Sequence, residues 1–336
     1  MENKRYLLID ESGIFIRQAM GIPGELCTTS GFCTNGVFGF TRSVLDVILK
    51  VKPHYVISCG DSSRANLERR KIYPYYKKNR DDAKPLEIKD YKWQKECVYS
   101  FLKHMEIQRL IIDGQEADDI IASLATQLGE KGDEVFIYSG DKDMVQLIND
   151  KVTVILPKHS SKIKKEAEAL NVDYDQIEKY DFVKDLDSAT NVLGVHPSRG
   201  ILAQALIGDT ADNYAGAIGI GKGGANKLAA EFDSIEAIYE GIKAGNPLFF
   251  TKKGAPNKLH KDLIRALTPE EIEKWGYSQM GITTNKESIK LSYELAELRT
   301  DLDMQINCKP LYEYDKEAMV EFLEELEFDS LMYFFK

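Results

Sequence analysis

Four short apolar runs in the first half of the chain are each followed by acid, and that placement constrains the fold more than any other feature. Residues 6–9 lead to Asp10, and residues 55–59 to Asp61. Residues 109–112 lead to Glu116, Asp118 and Asp119, and residues 135–138 to Asp141 and Asp143. A fifth run spans 152–156. Runs this short read as strands, and the stretches between them (37–49, 120–128, 143–148) carry helical periodicity. Strands alternating with helices predict an α/β fold: a mostly parallel central sheet with helices on its faces. In an open parallel sheet the C-terminal strand ends face one crevice, which is where such folds place ligands. Segments far apart in sequence then deliver these acids to one locus.

So many carboxylates cannot share a crevice unaided. Two like charges ~4 Å apart repel by roughly 4 kcal/mol at an effective dielectric of 20. A helix N-terminus returns only about 0.3–1 kcal/mol per charge. The site therefore holds protons or binds cations. Carboxylates without histidine or cysteine select hard divalent ions, Mg²⁺ or Mn²⁺. Two such ions are a common apparatus for in-line displacement at phosphorus. Taken singly, each acid reads equally well as a helix cap.

The chain has 54 acidic and 44 basic residues, a net charge of -10, which excludes a pervasively basic coat but not a local basic patch. Such a patch follows Asp61. Arg64, Arg69, Arg70, Lys71, Lys77, Lys78 and Arg80 stand against the single Glu68, with Tyr73, Tyr75 and Tyr76 among them. Cations neutralise phosphates and aromatic faces stack on unpaired bases, so this strip fits a nucleic-acid substrate. It opens a long insertion, 62–106, between two strands. The five cysteines (27, 33, 59, 97, 308) are scattered and contain no CxxC pair, which reads as reduced intracellular thiols rather than zinc ligands. No apolar run approaches the ~20 residues of a membrane span. The charged start predicts no secretory leader and a cytoplasmic protein.

Beyond residue 160 helical patterns dominate (198–206, 225–232, 234–244, 258–267, 317–326), and the charge-rich stretch 160–169 reads as a linker. The expected layout is an α/β core over 1–155 including the insertion 62–106, a mainly helical lobe over 156–290, and a C-terminal segment, 291–336, packing back on the core. Within the lobe, Gly216 to Lys222 matches GxxxxGK, but Gly223 stands where a phosphate loop needs Ser or Thr, and no strand precedes it. A better reading is a helix–hairpin–helix over 203–232 with Gly219 and Gly221 in the hairpin and a second helix opening near Gly224. Its N–H groups can meet a phosphate, and its carbonyls can hold a monovalent cation. Asp209 and Asp212 can face back toward the metals.

The motifs EADDIIA, GDKDMVQL, YKKNR, GDTADN and GIGIGKGGANKL occur in that order. Together they resemble the structure-specific 5′ nuclease family, the flap endonucleases and 5′–3′ exonuclease domains of bacterial DNA polymerase I type, with phage relatives. The resemblance covers nearly the whole chain. The ending also resembles the end of the polymerase-type exonuclease domain, so no attached polymerase is expected. The resemblance implies a first metal held by Asp10, Asp61, Glu116, Asp118 and Asp141, and a second involving Asp119, Asp143, Asp209 and Asp212. It implies that Lys77 and Arg80 contact the scissile phosphate, with Tyr76 beside them and Arg69 and Arg70 on the same DNA-facing strip. The insertion 62–106 becomes a helical arch that passes a free 5′ strand. Gly219, Gly221, Lys222, Gly224 and Lys227 become a duplex-DNA grip, often with K⁺. The implied partners are DNA with 5′ flaps, nicks or free 5′ ends, or RNA–DNA hybrids, acted on by a monomer. The chain departs from the family pattern at Ala215 (usually Pro), Gly223 (usually Lys) and Cys59-Gly60 (usually an apolar pair). Three rivals stay open: a ribonuclease of the same acidic type, a non-catalytic DNA-binding module and an ATPase.

Overall fold

A computed structural model describes residues 3–81 and 87–335. In chain order its strands and α-helices are β1 (Arg5–Asp10), α1 (Glu11–Gly21), α2 (Asn35–Val51), β2 (Tyr55–Cys59), α3 (Glu68–Ile72), α4 (Tyr91–His104), β3 (Gln108–Leu110), α5 (Ala117–Glu130), β4 (Glu134–Tyr138), β5 (Val152–Pro157), α6 (Ser160–Leu170), β6 (Tyr180–Val183), α7 (Leu186–Leu193), α8 (Gly200–Ile207), α9 (Lys222–Glu231), α10 (Ile235–Lys243), α11 (Lys258–Ile264), α12 (Pro269–Lys274), α13 (Asn285–Ala296) and α14 (Lys316–Glu325). Two compact units result, one from residues 1–62, 86–185 and 299–336, the other from 63–85 and 186–298.

The first unit is built on a six-stranded sheet ordered β3-β2-β1-β4-β5-β6, parallel except for β6. Its central strands are buried on both faces; Leu7, Leu8, Ile9, Ile57, Val135 and Ile137 are almost wholly inaccessible. That is why these runs read as continuous apolar stretches rather than alternating ones. Register sets Asp10 beside Cys59 and Ile9 beside Tyr138. The segments leaving β1, β2 and β4 therefore emerge together at one edge.

Three sequence expectations change here. The strand β6 lies beyond the expected core boundary at 155, and its antiparallel pairing with β5 keeps the first unit intact to 185. The stretch read as a linker is the helix α6; Ile163 and Ala167, four residues apart, bury one face of it with Ile177. The insertion 62–106 is divided between the units. Its second half is α4, whose Val98, Phe101 and Leu102 pack in the first core with α2 and with Met319, Phe322 and Leu323 of α14. Residues 63–81 belong to the second unit, and 82–86 of the expected arch lie outside the described residues.

The second unit is mainly helical, with Leu202, Leu206, Leu228, Ile238, Phe249 and Ile289 in one cluster. Helix α13 belongs to this unit, so the C-terminal return begins at 299 rather than 291. Helices α8 and α9 flank the glycine segment. Gly208 (φ 73°) and Gly216 (φ 64°) press against each other there: a Cβ on Gly208 would meet the Ala215 carbonyl carbon at 2.3 Å, and one on Gly216 would meet the Gly208 nitrogen at 2.4 Å. Only glycine fits both the backbone angle and the approach.

Candidate metal centre and nucleic-acid interface

The carboxylates of the first unit gather at the C-terminal edge of β2, β1 and β4. Asp10 ends β1 and caps α1, accepting from Gly13 N at 2.9 Å and from Ser139 Oγ at 2.8 Å. Gly13 is required for this approach, since a Cβ would lie 2.1 Å from Asp10 Oδ2. Asp61 follows β2, and its Oδ1 accepts from Ala117 N at 3.0 Å, so it caps the start of α5. Buried Glu116 is the N-cap residue of α5, and Asp118 lies in its first turn. Asp141 follows β4, accepts from Asp143 N at 2.8 Å and donates its own amide to Ser139 Oγ at 3.0 Å. Ser139 thus links the β1 and β4 carboxylates. Asp119 is oriented differently: fully buried, it accepts from Arg299 N at 3.0 Å and anchors the returning C-terminal segment.

The charge here is concentrated. Burial foremost, then the charges of Asp61 and Asp141, push the Asp10 carboxyl up to about 6, against the hydrogen bonds from Gly13 and Ser139. Burial also drives the Cys59 thiol well up, and Asp10, Glu11, Asp118 and Asp61 all add to it. A site whose burial and neighbouring acids raise Asp10 in this way is short of positive charge. Its oxygen-only donor set fits a hard divalent cation. Among the described residues no three of these carboxylates bring oxygens within 4.8 Å of one another, so the acids are assembled but not drawn into one coordination shell.

Sequence reasoning missed the layer behind this edge. Glu11 is wholly buried, with Lys95 Nζ at 2.8 Å, Arg109 Nε at 2.6 Å and Ser58 Oγ at 3.2 Å. Burial works against its charge, but Arg109 and Lys95 outweigh burial and hold Glu11 below the ordinary carboxylate range. The Arg109 guanidinium lies 3.9 Å from the Tyr99 ring centre. Glu11 carries no sequence signal, because beside Asp10 it looks like one more acid at a helix start, and its partners lie 84 and 98 residues away.

In the second unit the basic strip and the 209–213 loop interlock. Asp212 accepts from Arg80 Nη2 at 2.6 Å and Tyr76 Oη at 3.0 Å, with Lys77 Nζ at 3.5 Å. Lys77 N donates to Asp212 O at 2.9 Å, and Asn213 Nδ2 to Tyr75 O at 2.7 Å. Asp209 accepts from Ala211 N and Asp212 N, which shapes the turn. Three residues of the expected DNA-facing strip make structural contacts within this unit. Tyr76 is buried with Leu67, Tyr73, Tyr214 and Tyr277, so its ring is core rather than a platform for bases. Arg69 donates to the Leu295 and Glu297 carbonyls, each at 2.9 Å, and closes the end of α13. Arg70 is likewise committed, to Tyr76 O at 3.0 Å and Asp81 at 2.7 Å. Arg80 keeps 45% of its side chain exposed, and Lys77 12%.

At the glycine segment α9 opens at Lys222 with Gly221 as its N-cap, two residues before Gly224. Lys222 and Lys227 are exposed. Gly219 has φ 98°, and the Asp262 carboxylate lies beside it, 3.1–3.3 Å from where a Cβ would stand. Asp262 Oδ2 is buried without a hydrogen-bond partner among the described residues.

Comparison with known proteins agrees with this architecture. Residues 5–179 match the family model "5′-3′ exonuclease, N-terminal resolvase-like domain", and residues 195–318 match "5′-3′ exonuclease, C-terminal SAM fold". A 5′-3′ exonuclease of Aquifex aeolicus is 31% identical over 332 residues, covering 98% of this chain and 94% of the relative. DNA polymerase I of Caldicellulosiruptor bescii is 29% identical over 330 residues, and the chain spans 33% of its length. Among solved structures, a T5 5′-exonuclease with bound zinc has a TM-score of 0.57 at 18% identity, covering 99% of this chain and 100% of that one. The catalytic core of Rad2 with DNA has a TM-score of 0.55 at 15% identity, covering 100% and 93%. These two establish the fold. The chain belongs to the 5′–3′ exonuclease family. It is a nuclease, a hydrolase of nucleic-acid phosphodiester bonds. No helix among the described residues is long and apolar enough to cross a membrane.

Proposed function

We propose that this nuclease is Mg²⁺-dependent, with Mn²⁺ able to substitute, and that it acts on DNA carrying 5′ flaps, nicks or free 5′ ends. The observation that carries this reading is the gathering of Asp10, Asp61 and Asp141 at the C-terminal ends of the adjacent strands β1, β2 and β4, with Ser139 joining Asp10 to Asp141 and Asp61 held at the start of α5. Asp10, Asp61, Glu116, Asp118, Asp141 and Asp143 would hold the ions, and one oxygen of Asp119 is already committed to Arg299. Asp209 and Asp212 stay in the proposed ligand pool, with Asp212 balanced by Arg80 and Lys77. When bound, the ions supply acidified water and the charge neutralisation that hydrolysis at phosphorus needs.

The chain's own residues do the rest. Ser139 fixes the Asp10 carboxylate, and the α5 N-terminus fixes Asp61. Asp212 holds Arg80 and Lys77 as a preset cationic pair, and an incoming phosphate competes with Asp212 for them. The exposed Lys222 and Lys227 beside the α9 N-terminus suit a sequence-independent grip on duplex backbone. The buried Asp262 oxygen beside Gly219 supports a K⁺ ion there. A grip on phosphates also admits RNA–DNA hybrids. The working form is a cytoplasmic monomer.

The test is incubation with end-labelled flap, nicked, blunt and single-stranded substrates, with Mg²⁺ or with EDTA. Cleavage from the 5′ side of flap and nicked DNA in Mg²⁺ alone is expected. Equal cleavage in EDTA, or a preference for single-stranded RNA, would refute the proposal.

A further inference from the structure

The hairpin between α1 and α2 lies outside everything assigned to the nuclease site. Thr28 N donates to Phe32 O at 2.9 Å, and Thr34 N donates to Leu26 O at 2.7 Å. Cys27 and Cys33 face each other as an antiparallel pair between these two bonds. This is the non-hydrogen-bonded position, where Cα atoms stand about 4.5 Å apart and side chains approach most closely. A disulfide accepts Cα separations of about 4.4–6.8 Å, so the backbone already satisfies the bond. The two sulfurs lie 3.3 Å apart. Side-chain rotation has to close little more than about 1 Å to reach the ~2.05 Å of a bond.

The hairpin is held in register from several sides. Gly31 turns it at φ 91°. Asn35 Oδ1 accepts from Leu26 N at 2.9 Å, Asp90 Oδ2 accepts from Cys33 N at 2.8 Å, and Glu327 accepts from Thr29 N at 2.9 Å. Cys27 is exposed and Cys33 buried.

We propose that Cys27 and Cys33 form a redox-active dithiol, which small-molecule disulfides of the glutathione type convert to an intrachain disulfide. The exposed Cys27 thiolate attacks one sulfur of the reagent, forming a mixed disulfide and releasing one thiolate, which takes up a proton. Cys33 then gives up its proton and attacks the Cys27 sulfur, releasing the second reagent thiol. Two protein thiols lose two electrons and two protons, and one reagent disulfide becomes two thiols. The order follows from access. It also follows from the Cys33 thiol, which its hydrogen bond with Cys27 and then burial push up to about 11, making it the poorer first nucleophile.

The test treats the whole protein with excess oxidised glutathione, then counts free thiols in denaturant and maps the link by mass spectrometry. The expected count falls from five to three. The linked peptides should hold Cys27 and Cys33, lighter by two hydrogens, and dithiothreitol should restore all five. Cys33→Ser should instead stop at a stable glutathione adduct on Cys27, and Cys27→Ser should form no link. The wild-type count needs no variant to fold. Five surviving thiols, or a link running through Cys59, Cys97 or Cys308, would overturn the proposal.

Discussion

Replacing Glu11 by Gln removes one buried charge and leaves two opposite ones behind. The Glu11 side chain is 1% exposed, Lys95 11% and Arg109 30%, so neither cation regains full hydration when its partner is lost. Breaking a buried pair from one side costs about 3–5 kcal/mol. The amide still accepts from Arg109 and Ser58, which places the expected loss near 3 kcal/mol, about two decades in the folding equilibrium at ~1.4 kcal/mol each. Urea unfolding followed by a probe in the first unit measures it. Pairing Glu11→Gln with Lys95→Met should recover part of the loss, because one uncompensated cation goes with it. The pH dependence has a definite sign. The folded carboxyl is held low by Arg109 and Lys95, against burial, so its stabilisation is full above the unfolded value of about 4.3 and fades as pH falls through the lower folded one. The gap between wild type and variant should therefore narrow on acidification. A loss under about 1 kcal/mol, the size of a surface pair, would show that water reaches these groups and would refute the reasoning.

Asp141→Asn should abolish Mg²⁺-dependent cleavage of a labelled flap while leaving DNA affinity largely intact; full activity would remove Asp141 from the site. Asp212→Asn uncovers Lys77 and Arg80, so binding in EDTA should tighten at low salt, with the slope of log K against log salt steepening by about 1–2. Anisotropy titrations across a salt series measure that slope, and an unchanged value would mean the two cations do not meet phosphate. Mg²⁺ affinity should rise as pH rises through about 6, because burial and the neighbouring acids hold a proton on Asp10 that the ion must displace. Calorimetry at pH 5.5 in buffers of different ionisation heat should detect proton release, and none would show that Asp10 is already ionised or not a ligand.

The sheet and its acidic edge were legible because both are local patterns. A buried parallel strand is a continuous apolar run, and the residue after it must emerge at the strand's end, so Asp10, Asp61, Glu116, Asp118, Asp141 and Asp143 announce themselves by position alone. The helix α6 was obscured by its lysines and glutamates, since only Ile163 and Ala167 mark its buried face. Asp119 and Asp118 differ by one residue in sequence, yet that step of a helix turn places Asp119 on the Arg299 amide. Nothing local says whether a tyrosine in a basic strip is core or surface, and Tyr76 became core only when Tyr214 and Tyr277 came to meet it.

From its residue order alone this chain determined where acids stand relative to strands and which family it belongs to. Tertiary structure decided which charges find partners: Glu11 with Lys95 and Arg109, and Asp212 with Arg80 and Lys77. The physical reason is one of range. Strand and helix patterns act over a few residues, whereas the energy of a buried charge depends on groups dozens to more than a hundred residues away, brought within about 3 Å only when the whole unit closes.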